Sequence, residues 1–81
     1  MIPKTCPAND ILRDQFNRLL KSRSPMEDAA RLIHWAEAYR MLMEIDAAEF
    51  SYWERITEAT SKMRAHFLWS ESQHKHGWRA A

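Results

Sequence analysis

Glycine occurs once in this chain of 81 residues, at position 77, cysteine once, at position 6, and valine not at all. The shortage of glycine excludes phosphate-cradling loops and hairpin-rich all-β folds, because both use its access to positive φ. A lone cysteine excludes an intrachain disulfide framework. Long apolar runs are also missing. The longest, Met41-Leu42-Met43 and Phe67-Leu68-Trp69, span three residues each, against roughly twenty needed to cross a bilayer. The segment Met1-Ile2-Pro3-Lys4-Thr5-Cys6-Pro7 has no apolar core of the signal-peptide kind, so neither secretion nor a membrane partner is expected. Together with the single thiol, this predicts a reducing, cytoplasmic location.

Apolar types make up 46% of the chain and charged types 28%, the proportions of a chain that folds and not of a disordered one. The net charge of +1 is unevenly spread. Residues 1–25 carry a balance of +3, residues 26–58 one of −5 and residues 59–81 one of +3. Such a chain either folds its basic ends back on its acidic middle or offers one of the patches to a charged partner.

The apolar spacing is helical throughout. Residues 1–8, with prolines at 3 and 7, read as an extended arm, since X-Pro steps disfavour the helical region. Asn9 or Asp10 is the expected N-cap of a first helix over 9–21, in which Ile11, Leu12, Phe16, Leu19 and Leu20 share a face. Ser24, Pro25 and Glu27 combine a capping box with proline at the first helical position, which opens a second helix over 25–45. Its apolar arc holds Ala29, Leu32, Ile33, Trp35, Ala36, Tyr39, Leu42 and Met43. A third helix is expected over 47–72, with a narrower stripe of Tyr52, Trp53, Ile56, Ala59, Met63 and Phe67. The two stripes do not join in one register. A corner between 45 and 52 therefore fits better than one rod of about 70 Å at 1.5 Å per residue. Asp46 to Glu49 and Ser51 to Glu54 each have the spacing of a capping box there.

The expected fold class is all-α: a small three-helix bundle, or a helical hairpin with the short first helix packed across it. An extended arm precedes it and a tail over 73–81 follows. So small a core makes self-association, a homodimer for instance, an expectation as well.

Chemistry-bearing patterns are few. Cys6 lies in the arm, no nucleophile elbow is present, and Glu27, Glu37 and Glu44 fall on the polar arc of the second helix, so no catalytic residue is assigned. His66, His74 and His76, with Cys6 or His34, match no zinc spacing, and neither a metal nor another cofactor is expected. A nucleic-acid regulator is one reading. Arg13, Arg18, Lys21 and Arg23 would form its first basic cluster, and Lys62, Arg64, Lys75 and Arg79 its second.

The preferred reading is a non-catalytic protein that docks on another protein as an inhibitor, adaptor or subunit, with an economy of design known in mobile genetic elements. Four tryptophans are many for this length, and aromatic residues are enriched at interface cores. Trp35, Tyr39 and Trp53 lie on apolar arcs and are expected in the core. Phe50, Leu68 and Trp69 fall off the third stripe, and Trp78 lies beyond the only glycine. These four are the expected partner-binding anchors, with Lys75 and Arg79 as a basic rim.

Overall fold

The computed structural model describes residues 5–73, and these form three α-helices: α1 (Pro7–Leu19), α2 (Pro25–Met41) and α3 (Ala47–Ser72). The chain is an all-α bundle, as its composition and periodicity require. The main body is the antiparallel α2–α3 pair; α1 lies against α2 and touches α3 more lightly.

Helix α1 starts two residues before the expected position. Pro7 occupies the first helical position, where its fixed φ is already helical and its missing N–H costs nothing. Cys6 is the N-cap in extended conformation, and its carbonyl accepts from the Asp10 amide at 2.9 Å. Asn9 and Asp10 are therefore inside the first turn and cap nothing. The second expected cap also shifts by a hydrogen bond. Ser24 sits at the N-cap of α2 but its side chain makes no cap bond. Ser22 does the local work instead, its Oγ accepting from the Ser24 amide at 2.9 Å and donating to the Asp28 carboxylate.

The corner is built by backbone. The Met43 amide donates to the Arg40 carbonyl at 3.0 Å and the Glu44 amide to the Tyr39 carbonyl at 2.8 Å, the paired bonds of a Schellman stop. The position after the cap needs the left-handed region, and Met43 takes it, with φ at 61°. Helix α2 consequently ends at Met41, four residues before its expected end. Helix α3 then opens on a complete capping box. Asp46 Oδ1 accepts from the Glu49 amide at 2.7 Å and Glu49 Oε1 from the Asp46 amide at 3.0 Å.

The core contains Ala8, Leu12, Leu32, Ala36, Ile45 and Trp53, with Phe16, Tyr39, Phe50, Tyr52 and Ile56 packed half-buried against it. The face that α3 turns inward is not the one expected. Its buried row is Glu49, Trp53, Thr57 and Ser61, four residues apart throughout and mostly polar. Polar groups enter a core when they are paired, and three of these residues are, Ser61 Oγ donating to the Glu58 carbonyl at 2.9 Å. Asn9 Nδ2 donates to Glu49 Oε2 at 2.8 Å, and Trp53 Nε1 donates to Asn9 Oδ1 at 2.9 Å. Small side chains on both helices, Thr57 and Ser61 on α3 and Ala29 and Ala36 on α2, suit a close approach of the two axes.

Candidate docking surface

Placing the polar row inward turns much of the apolar stripe of α3 outward. Met63 is 72% exposed and Phe67 45%, whereas both were expected in the core. Across from them, Leu20 at the end of α1 is also exposed, and Leu20, Thr60, Met63 and Arg64 line a shallow cavity of about 240 Å³. Arg64 ties this region together. Its Nε donates to the Ser22 carbonyl at 2.7 Å, and its guanidinium lies 5.1 Å from the centre of the Phe67 ring.

A second apolar surface lies at the corner. Leu42 and Met43 were expected on the inward arc of α2, but the helix stops at Met41 and all three residues face solvent, Met43 at 90%. Trp35 departs from its core assignment too. It is exposed beside Tyr39, with ring centroids 5.9 Å apart, because Leu32 and Ala36 take the face of α2 that meets the bundle. Trp53 is buried as expected, with the Phe16 ring 6.3 Å away.

The residues expected to bind a partner occupy three environments. Trp69 is exposed and stacks on His66, with centroids 6.0 Å apart. Leu68 is half-buried. Phe50 packs against the core with the Arg40 guanidinium 5.3 Å from its ring centre, so it belongs to the body of the fold and not to an open surface. Lys75, Trp78 and Arg79 lie outside the described residues, as do His74 and His76. Sequence reasoning missed Leu20, Met63 and Phe67. The available signal was Glu49, which falls in the buried row once its capping role is taken as fixed.

The first basic cluster is largely matched by carboxylates. Arg13 pairs with Asp10 at 3.0 Å, Arg18 with Asp14 at 3.3 Å and Arg23 with Glu71 at 3.7 Å, while Lys21 is exposed. Among the described residues, no three His, Cys, Asp or Glu side chains are placed to hold a metal ion. The cavity near Cys6 is lined by Arg40, Met43, Asp46 and Glu49, with both carboxylates engaged in the cap of α3. No described helix is long and apolar enough to cross a membrane. Comparison with known proteins finds no matching family model, no similar curated protein and no similar solved structure.

Proposed function

We propose that the protein acts without catalysis, by docking on another protein through the outward apolar face of α3 and the residues beside it. One observation carries this reading. Among the described residues, five large hydrophobic side chains are buried (Leu12, Leu19, Leu32, Ile45 and Trp53), while ten are between 44% and 90% exposed. Single exposed apolar residues are ordinary, but contiguous ones mark interaction sites. Met63 and Phe67 stand one turn apart on α3, with Leu20 beside Met63, while Trp69 is exposed on another side of the same helix, against His66. The anchors are Met63, Phe67 and Trp69, joined by Leu68 at its half-buried edge and by Trp78, Lys75 and Arg79 in the tail. An inhibitor, an adaptor and a subunit would all use such a surface. The nucleic-acid reading has less support, since three of the four residues in its first cluster already face carboxylates.

The test is a pair of single substitutions, Trp69→Ala and Trp78→Ala, in the full chain. Both variants are expected to keep the helical circular dichroism and melting midpoint of the parent and to lose a protein that co-purifies with it from its native cell. Unfolding would mean that the rings are core. Retention of the same protein by both variants would remove these rings from the docking surface.

A further inference from the structure

The buried faces of α2 and α3 join in one register, although the apolar stripes of the two helices do not. The residues that α2 turns inward are Pro25, Ala29, Leu32 and Ala36, spaced alternately by four and three. Continued at that spacing, the row passes Tyr39, Met43, Asp46 and Phe50 and arrives at Trp53 and Thr57, which α3 turns inward. Such a seven-residue repeat is the seam of a left-handed coiled coil, so all these positions would fall on one side of a single supercoiled helix. Tyr39 and Phe50 already pack against the core. Glu49 and Ser61, the other buried residues of α3, flank the row. The corner interrupts it, and there Met43 stands 90% exposed in the left-handed region, with φ at 61°. Between Pro25 and the end of α3 there is no glycine or further proline, and Leu42, Met43, Glu44, Ala47 and Ala48 are good helix formers.

We infer that two copies of this chain exchange α3, the segment 25–72 of each straightening into one helix whose α3 packs on the α2 of the second copy. Every helix then keeps the neighbours it has in the closed chain. Asn9 of one copy takes over the bonds to Glu49 and Trp53 of the other. Antiparallel seams in this register set Leu32 against Thr57 and Ala36 against Trp53, and at their centre each Met43 is covered by the straightened corner of the second copy. The bonds of the Met43 and Glu44 amides that close the corner are replaced by the i to i−4 bonds of a continuous helix. Met43 also leaves a conformation that is costly for any residue but glycine, and short strained hinges favour such an exchange. Against it stand the capping box and Ile45, which is buried in the closed corner and lies off the seam. The exchange is therefore concentration-dependent. The outward face of α3 keeps its surroundings throughout, so this inference is independent of the docking reading.

The test uses the full chain, with mass read by light scattering from micromolar to millimolar concentration. The mass is expected to rise from 9.6 kDa towards twice that value. In a sample refolded from mixed ¹³C-labelled and unlabelled chains, isotope-filtered NOE spectra are expected to connect the Leu32 and Ala36 methyls of one copy to the Trp53 ring of the other. Met43→Gly removes the strain of the closed corner and is expected to lower the association constant at least fivefold. Asp46→Leu removes the cap of α3 and the one charged residue of the seam, and is expected to raise that constant at least tenfold. A parent that stays at 9.6 kDa at every concentration overturns the inference. So does a dimer whose Leu32 and Ala36 contacts to Trp53 are all within one copy, which would be a side-by-side pair of closed chains. A dimer that Met43→Gly leaves unchanged or strengthens overturns it as well, and this arm holds even where Asp46→Leu fails to fold.

Discussion

Asn9 makes two bonds that few other side chains could make from one position. Its amide nitrogen donates to the Glu49 carboxylate and its amide oxygen accepts from the Trp53 indole, so a single buried residue ties the start of α1 to the first two turns of α3. Asn9→Leu is expected to lower unfolding free energy by about 2–4 kcal/mol in urea titrations. The substitution leaves a buried carboxylate and a buried indole N–H short of a partner. Glu49→Gln is expected to cost about 1–3 kcal/mol, since one of two accepting oxygens becomes a donor facing a donor. Thr57 is the opposite case. Its hydroxyl is fully buried with no hydrogen-bond partner among the described residues. Thr57→Val, of similar shape, is therefore expected to be neutral or to stabilise by up to about 1 kcal/mol. A loss above that in the same titration would reveal a partner for the hydroxyl.

The helix ends show which signals in a sequence can be read and which cannot. Three helices, the corner and the capping box at Asp46 were legible because each follows from periodicity or from a short side chain at fixed spacing. The stop of α2 was not, because the residue in its glycine position is Met43. A left-handed non-glycine residue costs about 1–2 kcal/mol, and the Met43 side chain is too exposed to recover that by packing. Met43→Gly is expected to raise the melting midpoint, corresponding to about 0.5–1 kcal/mol, with no change in helical circular dichroism. A fall would show that the Met43 side chain stabilises the corner. The inward face of α3 was misread for a different reason. Sequence spacing offers Glu49 only as a capping-box residue, whereas a carboxylate held by a backbone amide and by Asn9 can also be buried. That pairing joins residues 40 positions apart, which no local window contains.

For the molecule as a whole, these choices leave a thin core under a large apolar exterior. Trimming that exterior should barely affect folding. Met63→Gln is expected to change unfolding free energy by less than about 0.5 kcal/mol, the usual range for a surface position. A larger loss in urea would place Met63 in the fold. The proposed docking requires the outward face of α3 to be covered by another protein. A photo-crosslinking residue at position 67, in the full chain and in its native cell, tests it most directly, with the same residue at position 27 on the polar side of α2 as reference. The prediction is one discrete protein adduct from position 67 and none from position 27. Adducts to nucleic acid alone, or no adduct above the level at position 27, would contradict it.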